Sequence, residues 1–587
     1  MSTTEKNLSP VEHIKTRSNF LRGTIAEGLA DELTGSIAAD DTQLTKFFGF
    51  YQQDDRDLRA ERKASKLEPH YQFMLRLRLP AGVVTGEQYL EIDRLAHEYA
   101  NGTLRLTTRQ TFQYHHVAKR DLRPLLQDAY KVGVDARGAC GDVNRNVMAS
   151  AFPEKSAVHA EIHDWSTKIS EHLAWKSKAY EEIFLQHEPT GETDVEPIYG
   201  ATYLPRKFKI AIAVPPENDV DVFANDIGLI AVVENDALVG FNVAIGGGMG
   251  STHGEPATYP RLGSVIGFVG LEKTLETVET LVTIQRDYGD RENRKHARFK
   301  YTIDDRGIGF IHEQLDERAG IQLAPTRDYH FDRNGDPIGW FQDDAGAWHV
   351  TLFIENGRIA DFDANGLAHH GQYQGPANYK LMTALREIAK VHKRTIRLTG
   401  NHNVIISGIA ADDRDEIETI VDHYGLDDGK TQRNSALRHA SMSCVAFPTC
   451  ALAMAESERY LPDLVGKLED VMDKAGIGDE RIVIRMTGCP NGCARPFLGE
   501  IGFVGKAPGK YNLYLGAAFD GSRLNKLYRE NIGEEEILAE LTPLIQRWSA
   551  ERDDGEHFGD FVVRSGVIAA TVEGKDFHDN TGPAEAA

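Results

Sequence analysis

The chain has 587 residues, of which 41% are hydrophobic and 26% charged, and its formal net charge is −23. This composition is typical of a globular protein of about three or four domains. The negative charge argues against nucleic acid or an anionic membrane as the main partner, because both bind basic surfaces, and it is compatible with docking of a complementary protein. We find neither the ~18-residue apolar stretch of a membrane span nor the apolar core of a signal peptide, so we expect a cytosolic chain with reduced thiols.

The first half of the chain alternates strand-like and helix-like segments. The charged first ~65 residues are expected to wrap around another part of the molecule, because their run DDRDLRAERK cannot form a core. In FMLRLRL, residues 73–79, the alternation puts Arg76 and Arg78 on one strand face and leucines on the other. The residues predicted to share a face of the next strand are Thr103, Arg105, Thr107 and Arg109. The amphipathic segments 163–185, 271–286, 461–475 and 534–551 are predicted to be helices that cover sheets.

The second half of the chain repeats the order of the first. TLRLTT at 103–108 is echoed by TIRLTG at 395–400, and a helix-period segment precedes each copy. Further segments match in the same order, namely VNRNVMASAFP with SMSCVAFPTC and DIGLIAVVENDALVGFNVAIGGG with EIGFVGKAPGKYNLYLGAA. Several matches in one order predict an internal duplication into two halves of roughly 200 to 250 residues.

Cations recur on several predicted strands of the first half. Lys207 and Lys209 share a face in TYLPRKFKIAIAV, and Arg145 lies in the turn NRN. Each pair alone would be explained as the solvated side of a half-buried sheet. As a set in an acidic protein, they predict a pocket that holds an anion, since arginine forks and lysine charges suit oxyanions and carboxylates.

Four of the five cysteines form two close pairs, Cys444 with Cys450 and Cys489 with Cys493. Four thiolates from two loops can hold one zinc ion, form two disulfides or bind an iron–sulfur cluster. Gaps of five and three residues fit a cubane cluster better than the two-residue gap of zinc knuckles, and a cytosolic chain disfavours disulfides. A cluster is therefore favoured, with zinc and unliganded core cysteines as alternatives. The separate Cys140 is predicted to be a small buried hydrophobe.

Nucleotide-binding motifs are missing from the sequence. The run Gly246–Gly250 does not continue into G-x-G-x-x-G, and the segment 425–431 is one residue short of a Walker loop. If electrons come from NADPH or a flavin, we expect another polypeptide to hold that cofactor.

The segments SCVAFPTC and TGCPNGC resemble the signature of the siroheme-containing sulfite and nitrite reductases. The segments LRGTIAEGLADELTG, YQQDDRDLRAERKASKLEP, NRNV, TYLPRKFK and VGKAPGKYNLYLG are similar to the sulfite reductase hemoprotein branch of that family. The resemblance spans residues 18 to 567. His402 departs from it, because the family carries glutamine there, and the tail after residue 568 is unmatched.

The resemblance implies an α+β, internally duplicated nitrite/sulfite reductase fold with two ferredoxin-like half-domains and two larger α/β sheet domains whose junction holds the cofactors. The implied units are an N-terminal wrapping segment 1–66, a first half-domain 67–140, a first siroheme-contacting α/β domain 141–335, a second half-domain 336–412 and an iron–sulfur/siroheme α/β domain 413–587.

The resemblance also implies the cofactors and their ligands. Siroheme and a 4Fe-4S cluster would share Cys493, with Cys444, Cys450 and Cys489 as the other cluster ligands. Arg76, Arg145, Lys207 and Lys209 would line the distal, substrate-binding pocket. The candidates for holding the carboxylates of the macrocycle are Arg105, Thr107, Arg109, Gln113, Lys300 and Asn491.

The activity that the resemblance implies is the assimilatory six-electron reduction of sulfite to sulfide, with a diflavin NADPH reductase subunit as electron donor and ferredoxin as the alternative donor. Reduction of nitrite to ammonia uses the same cofactor pair, but the nitrite enzymes tend to carry asparagine where this chain has Lys209. An alternative of another class is a non-catalytic iron–sulfur protein that relays electrons or senses oxidants.

Overall fold

The computed structural model describes residues 7–151, 157–188, 194–343, 345–427 and 434–578. Part of the 425–431 segment compared with a Walker loop, and the end of the unmatched tail, therefore lie outside the described residues. Within those ranges no helix is both long and apolar enough to cross a bilayer.

The α-helices are α1 (Pro10–Arg17), α2 (Ile25–Ala30), α3 (Asp41–Leu44), α4 (Arg59–Ala64), α5 (Gly86–Tyr99), α6 (Leu122–Lys131), α7 (Ala157–His172), α8 (Ala179–Ile183), α9 (Leu271–Tyr288), α10 (Phe299–Ala319), α11 (Leu381–Val391), α12 (Ala411–Tyr424), α13 (Ala436–His439), α14 (Leu461–Lys474), α15 (Glu534–Glu551) and α16 (Phe558–Arg564). Short 3-10 helices cover Thr45–Phe48, Pro80–Gly82, Lys119–Asp121, Val222–Ala224, Glu355–Gly357, Pro496–Leu498 and Gly574–His578.

The strands are β1 (Phe50–Asp54), β2 (Tyr71–Arg76), β3 (Val83–Thr85), β4 (Leu104–Leu106), β5 (Phe112–Val117), β6 (Met148–Ala149), β7 (Ile210–Ala213), β8 (Ile227–Glu234), β9 (Ala237–Ile245), β10 (Ser264–Gly270), β11 (Gly339–Gln342), β12 (Trp348–Leu352), β13 (Arg358–Ile359), β14 (Leu367–Ala368), β15 (Tyr373–Gln374), β16 (Thr395–Leu398), β17 (Val404–Ile409), β18 (Ser441–Ser443), β19 (Ile484–Thr487), β20 (Ile501–Ala507), β21 (Lys510–Leu515) and β22 (Lys526–Ile532).

Two antiparallel sheets interlock. The first antiparallel sheet has the order β1-β2-β5-β4-β13, and the second has the order β11-β12-β17-β16-β3. Each contains one strand from the other half of the chain, since β3 pairs with β16 and β13 pairs with β4. Helices α5 and α11 pack against each other beside these sheets. Each antiparallel sheet is therefore completed by a strand from the other half of the chain.

Two mixed sheets share one topology. The first mixed sheet runs β6-β7-β8-β9-β10 and the second runs β18-β19-β20-β21-β22. In both, the first three strands are parallel and the last two are antiparallel to their neighbours. The near-continuous apolar sequences of β7 and β8 are those of strands covered on both faces. An identical strand order in both halves agrees with the predicted duplication.

One hydrophobic core runs through both antiparallel sheets and the first mixed sheet. The second mixed sheet has its own core with α14, α15 and α16. The second mixed sheet is therefore a distinct unit, and a smaller apolar cluster that includes Met249, Phe497 and Leu498 joins it to the first mixed sheet. The candidate site lies where these units meet.

Three local predictions differ from the structure. Residues 50–54 belong to β1 and pair with β2, so the boundary at residue 66 cuts through a sheet. The strand predicted over 103–109 ends at Leu106, because the backbone from Thr107 to Thr111 closes a tight turn. The helix predicted over 163–185 is broken after His172, where buried Glu196 accepts hydrogen bonds from two backbone N–H groups. Tertiary contacts outweighed the local pattern in each case.

Candidate active site

Four cysteines meet at the carboxyl edge of the second mixed sheet. Cys444 directly follows β18, and Cys489 follows β19 after one residue. These strands are parallel neighbours, so their carboxyl ends share an edge, and Cys450 and Cys493 lie in the loops beyond. Burial, followed by the charges of neighbouring thiols, raises the pKa of Cys444, Cys450 and Cys489 to about 12. We call these four side chains the four-thiol centre.

The four-thiol centre has the features expected for a multi-iron cluster. All five cysteines are free of disulfide bonds. Backbone Gly488 N donates to Cys444 Sγ at 3.3 Å, and Asn491 Nδ2 donates to Cys489 Sγ at 3.4 Å. Hydrogen bonds to sulfur are a usual means of tuning such clusters. Asn491 thus contacts one of the four thiols, and its contact with siroheme carboxylates stays a prediction.

The N-terminal segment covers one side of this centre. Arg56 Nη1 donates to the carbonyls of Cys450 and Ala453 at 3.0 and 2.7 Å, and its guanidinium lies over the ring of Phe447. An ion pair between Asp57 and Arg459 adds a second link. The prediction that the charged N-terminal run wraps around another part of the molecule agrees with these contacts for residues 56 and 57.

A cationic recess lies beside the four-thiol centre. Two of its cations, Lys207 and Lys209, come just before β7 in the chain. Burial, with the charges of Arg298 and Arg206, lowers the pKa of Lys207 to about 7. Burial, with the charges of Lys207 and Arg109, lowers the pKa of Lys209 well below its ordinary value. Both shifts come first from burial and then from neighbouring cations, so other cations lie close to the two ammonium groups.

Arg76 and Arg145 join the lysines in this recess. Arg145 is one of the charges that lower the pKa of Lys207, and its Nε donates to Gly141 O at 2.8 Å. Arg76 Nη1 donates to Cys140 Sγ at 3.2 Å, and its Nε donates to the amide oxygen of Gln113 at 3.1 Å. Cys140 is fully buried, as predicted. We define the cationic recess by Arg76, Arg145, Lys207 and Lys209.

The recess and the four-thiol centre meet at Cys493. Its thiol influences the pKa of both Lys207 and Lys209, which places it beside the recess. It is the exposed member of the four cysteines, and Thr108 Oγ1 donates to its carbonyl at 3.0 Å. One cysteine therefore faces both parts of the site.

Arg105 is buried and bound by the protein. It is 1% exposed, and its Nε pairs with Glu458 Oε2 at 3.0 Å while its other two nitrogens donate to the carbonyls of Ser443 and Leu106. Arg105 thereby supports the strand that leads into Cys444, and its contact with a cofactor carboxylate stays a prediction.

Arg109 and Lys300 are also engaged by the protein. Arg109 donates to Asn146 O, Ile210 O and Asn225 Oδ1 at 2.7 to 3.1 Å. Lys300 Nζ donates to three carbonyls, of Gly248 at 3.2 Å, Gly250 at 2.7 Å and Tyr259. These cations hold loops at the junction in place, and their contacts with siroheme carboxylates stay predictions. Thr107, whose Oγ1 accepts from Arg109 N at 3.1 Å, and Gln113 remain predictions.

Two arginines of the site were missed by the sequence reasoning. Arg206 precedes Lys207 directly, and burial followed by the charge of Arg294 lowers its pKa to about 10. Arg298 pairs with Asp226 at 2.9 Å while raising the positive potential at both lysines. The run RKFK contained the signal for Arg206, but the period-2 pattern selected only every second residue. No comparable signal marks Arg298.

The arrangement fits an anionic iron cofactor. Thiols with pKa values near 12 do not ionise at neutral pH unless metal replaces their protons. A polycarboxylate in the recess would supply the negative charge that the lysines lack. Both requirements are met together by an iron–sulfur cluster next to a carboxylate-bearing tetrapyrrole, with Cys493 between them.

Two family models match the chain. The nitrite/sulfite reductase ferredoxin-like half domain matches residues 66–132 and 341–424, and the nitrite and sulphite reductase 4Fe-4S domain matches residues 164–323. The sulfite reductase (NADPH) hemoprotein beta-component of Staphylococcus haemolyticus is 54% identical over 98% of this chain and 98% of its own length. The chain belongs to the nitrite and sulfite reductase family.

Further members of the family support this assignment. The sulfite reductase (NADPH) hemoprotein beta-component of Bacillus subtilis is 55% identical over 97% of this chain and 98% of its own length. The solved structure of the Mycobacterium tuberculosis NirA protein aligns with a TM-score of 0.75 at 24% identity, covering 95% of this chain and 96% of that one. The fold predicted from the sequence, with ferredoxin-like half-domains, is confirmed.

The 4Fe-4S domain model matches strands β7 to β10 of the first mixed sheet with helices α8 to α10, and this range contains none of the cysteines. The four-thiol centre lies instead in the second mixed sheet, which has the same topology. In this family member the two copies of the unit have therefore diverged, and only the second copy carries thiols.

Proposed function

We propose that the chain is a sulfite reductase that converts sulfite to sulfide with six electrons, using a siroheme joined to a 4Fe-4S cluster. The observation that carries the proposal is the meeting of the four-thiol centre and the cationic recess at Cys493. The names of the relatives, sulfite reductase (NADPH) hemoprotein beta-component, support the same activity. The reaction is assimilatory and cytoplasmic, in a compartment where the thiols stay reduced.

The four cysteines would hold the cluster, and Cys493 would also bind the siroheme iron. When bound, this cofactor pair would supply single electrons to the substrate. Arg206 is added to Thr107 and Gln113 as a candidate for contacting the carboxylates of the macrocycle, because no hydrogen bond to a protein carboxylate satisfies it among the described residues.

The recess cations bind and orient the substrate. Lys207, Lys209, Arg145 and Arg76 present positive charge to one volume, and fixed cations stabilise an oxyanion most strongly where water is excluded. Burial lowers the pKa of Lys207 to about 7, and the carboxylates of a bound macrocycle would raise it, so Lys207 would hold a proton that it can donate to the substrate. Removal of three oxygens as water requires six protons, so a proton donor at this position suits the reaction.

The electrons come from a separate flavoprotein, which we propose to be a diflavin NADPH reductase subunit. The relatives are named as beta-components, and the sequence lacks nucleotide and flavin motifs. The purified chain alone is therefore expected to reduce sulfite with a viologen radical but not with NADPH. NADPH-driven turnover by the pure chain would contradict a separate donor, and turnover restored by ferredoxin but not by a diflavin reductase would identify the other donor class.

The test of the reaction combines a spectrum with two rate measurements. The purified protein should show a strong Soret band and red-region bands of siroheme, which a lone cluster lacks. With one viologen donor, kcat/KM for sulfite should exceed that for nitrite, because Lys209 adds a cation for a dianionic substrate. Absence of the siroheme bands would favour the electron-relay alternative, and a higher kcat/KM for nitrite would favour nitrite reduction.

A further inference from the structure

The two mixed sheets place Asp221 and Arg495 at equivalent positions. Asp221 precedes the 3-10 helix Val222–Ala224, which leads into β8, and Arg495 precedes the 3-10 helix Pro496–Leu498, which leads into β20. Both are in the left-handed region, with φ of 47° and 53°. Side chains other than glycine adopt this conformation only where the surrounding structure enforces it. The duplicated fold thus brings an acid and a base to matching points.

These two residues form an ion pair with each other. Arg495 Nε contacts Asp221 Oδ2, and Arg485 Nη1 from β19 contacts the same oxygen. The side chains of Asp221, Arg485 and Arg495 are 1%, 2% and 9% exposed. A buried carboxylate with two guanidinium partners keeps its charge, and the two arginines lower the pKa of Asp221 despite its burial.

The remaining nitrogens of Arg495 reach both antiparallel sheets. Nη1 donates to Thr108 O and Nη2 donates to Gly400 O, each at 3.0 Å. Thr108 and Gly400 end the repeated segments TLRLTT and TIRLTG, so they too are equivalent in the two halves. Arg495 therefore contacts one residue from each of the other three sheet units.

The same contacts lead to Cys493, two residues before Arg495. Thr108 accepts from Arg495 through its carbonyl and donates through Oγ1 to Cys493 O at 3.0 Å. The backbone N–H of Arg495 donates to Gly492 O at 3.0 Å, which closes the loop around Cys493. The position of this cysteine relative to the recess is thus set by Arg495 and Thr108.

We propose that Arg495, held by Asp221 and acting through Thr108, is a positioning residue that fixes the Cys493 sulfur relative to the cationic recess. This inference rests on the proposed role of Cys493 as the ligand shared by siroheme and cluster. Residues that orient a metal ligand commonly affect metal affinity or activity by about 10- to 100-fold when they are changed. A residue with a purely structural role would change stability and leave the spectrum of the bound cofactor unaltered.

The test uses two variants at different points of this chain of contacts. Arg495→Lys keeps the charge but cannot contact Asp221, Thr108 and Gly400 with one planar group. Thr108→Val removes only the hydrogen bond to Cys493 O and keeps the shape of the side chain. It therefore provides an independent measurement if Arg495→Lys folds poorly. Thr108→Ser retains the hydroxyl and should behave as wild type.

A matched control is Arg438→Lys, which alters a buried arginine paired with Glu469 at 2.9 Å in the same unit but away from the Cys493 loop. Iron, acid-labile sulfide and siroheme content, the EPR g values of the ferric siroheme, and viologen-driven kcat per siroheme should be measured for each variant. We expect altered g values in both test variants, with kcat reduced about 10-fold in Arg495→Lys and about threefold in Thr108→Val. Thr108→Ser and Arg438→Lys should keep the wild-type g values.

Wild-type g values and kcat in a folded, siroheme-loaded Thr108→Val and Arg495→Lys would overturn the positioning role. The same would follow if Arg438→Lys changed the g values equally, because the effect would then not be specific to the Cys493 loop. Cys493→Ser separates this failure from that of the proposed function. If Cys493→Ser retained a wild-type siroheme spectrum, the shared-ligand role itself would be wrong. If Cys493→Ser lost that spectrum while Thr108→Val and Arg495→Lys stayed unchanged, only the inference about Arg495 would be rejected.

Discussion

The two mixed sheets have the same strand order but different chemistry where their parallel strands end. Cys444 follows β18, and its N–H donates to Met486 O at 3.1 Å. Ser150 follows β6 in the first sheet, and its N–H donates to Ile212 O at 3.0 Å. The backbone is the same at both places, so one side-chain atom, sulfur or oxygen, distinguishes a cluster ligand from an ordinary polar residue.

Asp219 of the first copy lies at the position that Cys493 holds in the second copy. Cys493 lies two residues before Arg495, and Asp219 lies two residues before Asp221. Asp219 Oδ1 accepts from Ser150 Oγ at 2.8 Å, and Oδ2 accepts from the next backbone N–H at 2.9 Å. The position that holds an exposed thiol in the second copy thus holds a buried, hydrogen-bonded carboxyl group in the first.

The first copy contributes charge to the site instead of metal ligands. Asp226 accepts from the backbone N–H of Lys209 at 2.9 Å, and Glu500 accepts from that of Val483 at 2.8 Å at the equivalent point of the second copy. A lysine in one copy and a valine in the other share the same backbone anchor. The comparison indicates that the duplication supplied two similar backbones. A few side chains then suited the second copy to metal binding and the first copy to anion binding.

The largest effect is expected for Cys493→Ser. Loss of the shared thiol should remove normal siroheme binding and reduce viologen-driven sulfite reduction to below detection, while Cys444→Ser should damage the cluster less. Iron, sulfide and siroheme content report both outcomes. Asp219→Asn, at the equivalent position of the first copy, is the control and should keep full cofactor content. Equal cofactor loss in Cys493→Ser and Asp219→Asn would mean that the two copies are not divided in function.

Lys209→Asn should have the next largest effect. It replaces a recess cation by the amide of the nitrite branch, so kcat/KM for sulfite should fall by roughly 100- to 1000-fold, by analogy with the loss of one oxyanion donor. Siroheme content should stay near that of wild type. The ratio of kcat/KM for sulfite to that for nitrite should shift toward nitrite. A ratio within about twofold of wild type corresponds to a change of under roughly 0.5 kcal/mol in relative transition-state stabilisation. That result would show that Lys209 does not discriminate between the two substrates.

Asp219→Asn should change the pH dependence of stability. Burial raises the pKa of Asp219 to about 7, so between its usual value and pH 7 the folded state holds a proton that the unfolded state has lost. Stability contributed by this group is complete at low pH and falls as pH rises, by on the order of 2–4 kcal/mol. The Tm of the variant minus that of wild type should therefore increase from pH 4 to pH 7 and then level off. A difference that is independent of pH would mean that the carboxyl group is already ionised.

His402→Gln should have the smallest effect. Gln110, the equivalent residue of the first half, donates to Ala149 O at 2.7 Å and accepts from Ala149 N at 3.0 Å, whereas buried His402 Nδ1 has no partner among the described residues. Glutamine at 402 could make the same pair with Ser443, beside Cys444, and should raise stability by about 1 kcal/mol. Gln110→His is the reciprocal control and should lower Tm. A lower Tm for His402→Gln would show that the two halves differ at this turn.

Much of this molecule could be predicted from local patterns. The repeated segments predicted the duplication, and the two cysteine pairs predicted one four-thiol centre, because parallel strands deliver their ends to the same edge. The cations of RKFK and NRN predicted the recess, although Arg206 was missed. The roles predicted for Arg105, Arg109 and Lys300 could not be assessed in this way, since each depends on partners far away in the chain, such as Glu458 at 353 residues from Arg105.

The sequence by itself determined which atoms could take part in the chemistry, because the positions of thiols, lysines and periodic apolar residues can be read directly from it. Only the tertiary structure decided which of them are free to act. Strands β3 and β13 cross between the halves, and Arg495 joins the units at their junction. The physical reason is that a buried cation must find acceptors wherever the fold places them, so its role is fixed by neighbours in space. The cationic neighbours of Lys209, which include Lys207, Arg109 and Arg298, come from separate segments of the chain that only the fold brings together.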